Sequence, residues 1–419
     1  MKRLAVALAL SLALGSCVPQ RAAGPVLPPP SAEKCNGSEG YAQSFGGRRT
    51  FTWRPAFLER IRTEDGAQAL RDRILAGAEQ ALAGAAPTVT AKWGIPPSGD
   101  RHDYVSWPVY WWEVGPSEYE TRDGVVNPQS KSRKFDFSAL REMQRRVTVL
   151  SLGAFLNGDP RYAQKAAELL ATWFGDPATA MNPNLDFGQA VPGQRGATTI
   201  ESTQLIAVVE SIGLLEGSGA LSPEIQAELR NWFSRYVDWM TGPRAPGDRY
   251  AANNWSLSYD LQLAEFGLFA GRIDVARAVM RRVSHERLAQ QIALDGRLPA
   301  ETARTHGLSY SLFALGLMFQ LADLGECLDV DLWSSREGGA SIRTAVDFLI
   351  PFVGHEDTWP YQESKDPERI QRIRESFRRL LLKAGWAYRE PQYFAAAAAL
   401  DADGAAGWEW PVPLPDYLD

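Results

Sequence analysis

The sequence predicts an all-α protein built as one domain, and three observations predict it. Apolar residues recur at steps of three and four along most of the chain. The helical runs are punctuated by capping residues, Pro and Gly rather than by strand-like alternation. No second stretch of linker composition interrupts the body between Phe45 and about Trp410. The 419 residues are 45% hydrophobic and 22% charged, an ordinary globular balance. A net charge of −6 gives no reason to expect a nucleic-acid partner, so an anionic polymer would have to be drawn in by a local basic cleft. The 14 Trp and 13 Tyr suit both core filling and stacking on sugar rings.

The N-terminal element comes first. Lys2 and Arg3 precede an apolar run from Leu4 to Leu14, then Gly15-Ser16-Cys17. That pattern is a signal peptide over residues 1–16, too short to span a bilayer permanently. Leu14-Gly15-Ser16-Cys17 resembles a bacterial lipobox, which makes Cys17 the lipidated first residue of an exported, periplasmic or outer-membrane-anchored lipoprotein. The membrane is then met only through that lipid. Residues 17–44, with Pro19, Pro25, Pro28, Pro29 and Pro30, read as a flexible tether, and 45–419 as the folded body. Cys35 falls in the tether and lies far from Cys327, so both are expected as free thiols. No CxxC or His cluster has metal-ligand spacing, and no metal or cofactor is expected.

Within the body, Leu140, Met143, Val147, Leu150 and Ala154 form one helical stripe that stops at Asn157-Gly158. Asp159-Pro160 opens the next, with Tyr162, Ala166, Leu169 and Trp173 in phase, so two antiparallel helices joined by a tight turn are expected. Ser222-Pro223 opens another that carries Ile225, Leu229, Trp232, Tyr236 and Trp239. Leu261–Phe269 and the stretch from Asp274 to Val283 complete a second pair. Strands are few.

Four segments are polar where simple turns would suffice: Ser98–Tyr104 with Trp111-Trp112, Met181–Asn184 with Gln189, Asn253–Ser256 with Tyr259-Asp260, and Arg304–His306 with Ser309-Tyr310. Such helix ends and loops supply binding groups on a rigid scaffold; the alternative for each is capping and loop hydrogen bonding. Together with Tyr110-Trp111-Trp112, Arg122-Asp123-Gly124, Asp295-Gly296-Arg297, Glu301, Tyr310–Phe313 and Trp359-Pro360-Tyr361, they resemble the alginate lyase superfamily of polysaccharide lyases, which includes mannuronate- and glucuronan-type enzymes. The matching residues keep their order from about 94 to 361.

The resemblance implies an (α/α) toroid, an incomplete barrel of helical hairpins, and β-elimination in a uronate polymer without a cofactor. A charged carboxylate leaves the neighbouring C5 proton weakly acidic, so an enzyme of this kind neutralises the carboxylate, removes that proton and protonates the departing O4. The resemblance places Asn254 at the carboxylate-neutralising position and Tyr310 at the acid/base. Arg304 is then the cation expected to ease ionisation of a phenol whose reference pKa is about 10. It also places His102, Tyr104, Trp111, Trp112, Gln189, Asn253, Trp255 and Tyr259 against an acidic polysaccharide.

Two positions depart from the family pattern. The family reads Asn-Asn-His where this chain has Asn253-Asn254-Trp255, and an indole N–H donates a hydrogen bond but cannot shuttle a proton. His306, four residues before Tyr310, stands where close relatives have Arg; as a hypothesis, it takes over part of the neutralising or proton-transfer role, the alternative being a capping residue. A second whole reading is a member that binds uronate polymers at the cell surface without cleaving them. A third is a glycoside hydrolase, which would need two facing carboxylates roughly 5–9.5 Å apart.

Overall fold

The computed structural model describes residues 33–191 and 196–400. The signal peptide and Cys17 lie outside the described residues. The chain opens with short helices α1 (Pro55–Thr63) and α2 (Gln68–Ala81). A two-stranded antiparallel hairpin follows, β1 (Trp111–Gly115) and β2 (Glu118–Thr121). From there it is helical: α3 (Phe137–Asn157), α4 (Pro160–Phe174), α5 (Gln204–Glu216), α6 (Pro223–Thr241), α7 (Asn254–Phe269), α8 (Ile273–Arg282), α9 (Leu288–Gln291), α10 (Pro299–Thr302), α11 (Gly307–Glu326), α12 (Ile342–Leu349), α13 (Pro367–Tyr388) and α14 (Pro391–Ala399).

The caps read from the sequence do their work. Asp159 accepts from the Arg161 N–H ahead of Pro160, and Ser222 accepts from the Ile225 N–H ahead of Pro223. Gly158 closes α3 with φ +73°, a conformation that glycine adopts without strain.

Two kinds of helix follow from two kinds of sequence. Helices α5 and α11 are largely apolar, α7 mixes apolar residues with buried Ser256, Asp260, Gln262 and Glu265, and all three are buried on nearly every face. Helix α11 is long and apolar enough to cross a membrane, yet most of it is buried within the protein, as in a core helix. Helices α4, α6, α8 and α13 instead carry one apolar face each and cover the others. Helix α3 packs on α2, α4 and α5, while α7 packs on α5, α6, α8 and α11, and α11 packs on α10, α12 and α13.

The first correction concerns residues 33–44, expected as the end of the tether. Cys35 and Tyr41 are buried in the main core, Gly37 N–H donates to Cys327 O at 2.8 Å, and Glu33 accepts from Ala56 N–H at 2.8 Å. The folded body therefore begins by residue 33. The second concerns the cysteines: Cys35 and Cys327 form a disulfide, with Cα atoms 4.4 Å apart. The packing of the N-terminal segment against the C-terminal end of α11 closes the sequence gap that made free thiols the expectation.

Candidate active site

The N-terminus of α11 brings the predicted chemistry together. Tyr310 lies in its first turn, its N–H donating to His306 O at 2.9 Å. The four-residue step between the two therefore holds, although His306 itself stands just outside the helix. The Arg304 guanidinium lies over the Tyr310 ring, 4.0 Å from its centroid. Its Nε donates to both oxygens of Asp123 at 3.1 Å, and Nη2 adds a further bond to the same carboxylate. Thr305 reinforces this by donating to Asp123 Oδ2 through N–H at 3.0 Å and Oγ1 at 2.9 Å. With so many donors, led by Arg304, Asp123 is held well below the usual carboxylate range.

The loop that delivers Asp123 leaves β2 and needs glycine at its next residue. Gly124 has φ +75°, and a Cβ there would come within 2.6 Å of His306 Nε2. The other face of the imidazole is occupied as well, with Nδ1 3.2 Å from Glu363 Oε1. His306 is thus wedged between the Arg122–Gly124 loop and Glu363, a placement that suits a latch better than a free proton carrier.

From the base of the hairpin comes Tyr110, whose hydroxyl lies 2.6 Å from that of Tyr310. Burial pushes the Tyr310 pKa up, and negative charge on the neighbouring Tyr110 oxygen would push it further; Arg304 pulls the other way. Arg304 therefore opposes the rise, but burial is the larger effect. The guanidinium stacks on the ring while burial outweighs it, so Tyr310 rests protonated.

Asn254 begins α7, where backbone N–H groups lack helical partners. Glu301, buried in α10, supplies one: the Asn254 N–H donates to its Oε1 at 2.6 Å and Asn254 Nδ2 donates to its Oε2 at 2.8 Å. Burial raises the Glu301 pKa, while Asn254 and the field of Arg304 oppose the rise. Arg304 thus acts electrostatically on both Glu301 and Tyr310, linking the carboxamide side of the site to the phenol side. A cavity of about 530 Å³ lies between α5, α11 and α13, with Thr203, Gln204, Ser309, Phe313 and Arg369 in its wall, and Tyr310, Arg304 and Asn254 do not line it.

Several residues expected at the substrate are structural. Tyr104 is fully buried and donates to Glu201 Oε2 at 2.8 Å, and buried Gln189 donates to Glu201 Oε1 at 3.0 Å. Tyr259 is buried on α7 with its hydroxyl given to Met240 O at 2.7 Å. Asn253 caps α7 by accepting from Trp255 N–H. His102 lies half-buried with Nδ1 2.6 Å from Ala180 O, so it secures the contact between the 100–103 and 180–184 loops. Trp111 and Trp112 are both half-exposed on the hairpin, and Trp112 carries the Arg122 guanidinium 4.7 Å from its ring centroid. Trp255 is half-buried beside Asn254.

Three residues that carry this arrangement, Tyr110, Asp123 and Glu301, had no role assigned from the sequence. Each stood inside a quoted motif. The available signals were a tyrosine beside the paired tryptophans and an acid immediately before a glycine.

A phenol and a carboxamide in the first turns of α11 and α7, with a guanidinium from the loop between α10 and α11, make up the site. The family model described as alginate lyase matches residues 88–359. An alginate lyase from Bacteroides ovatus, known from a crystal structure, is 31% identical and superposes with a TM-score of 0.81. That match covers 86% of this chain and 98% of the other. A variant of alginate lyase A1-III, an enzyme of Sphingomonas species A1, was solved complexed with tetrasaccharide. It shares the fold at 17% identity and a TM-score of 0.50, over 79% of this chain and 91% of its own. No curated protein sequence matches. The chain belongs to the alginate lyase family.

Proposed function

We propose that the protein cleaves a uronate polysaccharide (alginate, polymannuronate or glucuronan) by β-elimination, with Tyr310 as acid and base. The observation that carries this reading is the pair of phenol oxygens 2.6 Å apart beneath a guanidinium. Two phenols this close titrate as a unit, and once the pair has lost one proton it resists losing a second. In the singly ionised pair, Tyr110 donates to the Tyr310 phenolate through a charge-assisted hydrogen bond, and Arg304 adds its field. That phenolate takes the C5 proton. The C4–O4 bond breaks as the C4–C5 double bond forms, and Tyr310 returns the proton to O4. One residue thereby serves both steps on one face of the sugar, which suits a chain with Trp255 in place of the family histidine.

Arg369 and Arg372 line the cavity between α5, α11 and α13 and would give an anionic polymer a cationic wall there. On the same reading, the inner and outer helices close into an incomplete (α/α) toroid, and the protein works as an exported lipoprotein held through Cys17. The second reading, polymer binding without cleavage, is favoured by Trp255 alone.

Purified protein incubated with polymannuronate, polyguluronate and glucuronan should generate the ultraviolet absorbance of an unsaturated uronate on at least one of them. New reducing ends without absorbance would mean hydrolysis, and retention on the polymer with neither would mean binding only. On the polymer that is cut, Tyr110→Phe should lower kcat by about 10–100-fold with little change in KM, because it removes the hydrogen bond that stabilises the phenolate. An unaltered kcat would remove Tyr110 from the mechanism.

A further inference from the structure

One peptide group in the site is gripped from both sides. The unit joining Asn253 to Asn254 is planar, so its carbonyl and its N–H point in opposite directions. Glu301 of α10 takes that N–H at 2.6 Å and, through its other oxygen, one N–H of the Asn254 carboxamide at 2.8 Å. On the carbonyl side Gln291, the last residue of α9, donates through Nε2 to Asn253 O at 3.2 Å and to Ser256 Oγ at 2.8 Å. Both gripping side chains are buried. The second N–H of the Asn254 carboxamide is left for a sugar carboxylate.

The grip on the carbonyl is more than the helix needs. Asn253 O already accepts from the Ser256 N–H at 3.1 Å and from the Ser256 hydroxyl at 3.1 Å. Gln291 meanwhile keeps its own Oε1 buried without a hydrogen-bond partner among the described residues. A buried amide with an idle oxygen serves stability less well than an apolar side chain of the same shape. The segment that carries it is also shaped to reach α7. Between α8 and α9 the chain makes a π-helical turn, Val283–Arg287, a widening frequently found at functional sites. Arg287, at the end of that turn, donates to Asp260 Oδ2 and to Arg249 O, each at 2.9 Å. Gln291 and Arg287 thus meet the first and second turns of α7.

We infer that Gln291 is a positioning residue: opposite Glu301, it holds the Asn253–Asn254 peptide so that the remaining N–H of the Asn254 carboxamide is aimed at the substrate carboxylate. The inference rests on the lyase reading, in which Asn254 meets that carboxylate. Glu301 alone leaves the peptide able to rock about the line between its two bonds, and a third hold on the far side removes that freedom. Aim matters most as the C5 proton leaves. Charge then flows into the carboxylate, so a misdirected donor costs more in the transition state than in the bound substrate.

Methionine is as unbranched as glutamine and lacks the amide. Gln291→Met should melt at or above the wild-type temperature, while kcat/KM on the polymer that is cut falls about tenfold, chiefly through kcat. Well below the melting range, Asn254→Ala/Gln291→Met should be no slower than Asn254→Ala, since a holder does nothing once the carboxamide is gone. Where Asn254→Ala turns over too slowly, the same cycle is read as calorimetric affinity for mannuronate and glucuronate tetrasaccharides in a Tyr310→Phe background. Unchanged turnover by Gln291→Met, whether its melting temperature falls or holds, would overturn the positioning role. If turnover and melting temperature both fall, the cycle decides: effects that multiply in the double variant overturn the inference, and effects that do not multiply uphold it. A wild type that releases no unsaturated product overturns the lyase reading instead. Gln291 then keeps its role only if Gln291→Met weakens tetrasaccharide binding by about threefold or more, and binding that it leaves untouched overturns both.

Discussion

Tyr310→Phe should lower kcat by about 10²–10⁴-fold, the usual span for removing a general acid or base. The variant keeps the ring, so Arg304 keeps the face it stacks on at 4.0 Å and the fold should be undisturbed. What disappears is the oxygen that receives the C5 proton and returns it to O4. KM should therefore change by no more than a few-fold, which separates loss of chemistry from loss of binding. Initial rates of unsaturated-uronate formation, with a melting curve for each protein, make the comparison. A Phe variant retaining more than a tenth of the wild-type rate would show that another group moves the proton.

The second large effect concerns stability. The disulfide between Cys35 and Cys327 closes a loop with a sequence separation of 292. Restricting so long a loop in the unfolded chain corresponds to about 6 kcal/mol in the chain-entropy description, and native disulfides removed by mutation typically cost about 2–5 kcal/mol. Cys35→Ser/Cys327→Ser should therefore melt roughly 5 °C below wild type for a chain of this size. Adding reductant should lower the wild type toward the same value and leave the double variant unmoved. Coincident melting of oxidised, reduced and mutant protein would show that Cys35 and Cys327 are not bonded in solution.

The helices were legible because their signals are local. Asp159-Pro160 and Ser222-Pro223 carry their own start instructions, and Gly158 its own stop, so α3, α4 and α6 appear where those residues place them. The start of the body was not legible, since a short polar stretch has the same composition whether it is free or plugged into a core by Cys35 and Tyr41. The same limit explains the site. Tyr310, Arg304 and Asn254 stand in ordered motifs, but motif membership does not say where a polar tip points. Tyr104, Tyr259 and Gln189 give their polar atoms to buried partners. Tyr110 and Asp123 meet their partners 200 and 181 residues away, distances over which no local pattern speaks.

Helix α11 joins two of these features in one rod. Tyr310 stands near its beginning and Cys327 caps its end, 17 residues further on, or about 25 Å along the axis. The end fastened to the N-terminal segment is thus the one remote from the paired phenols.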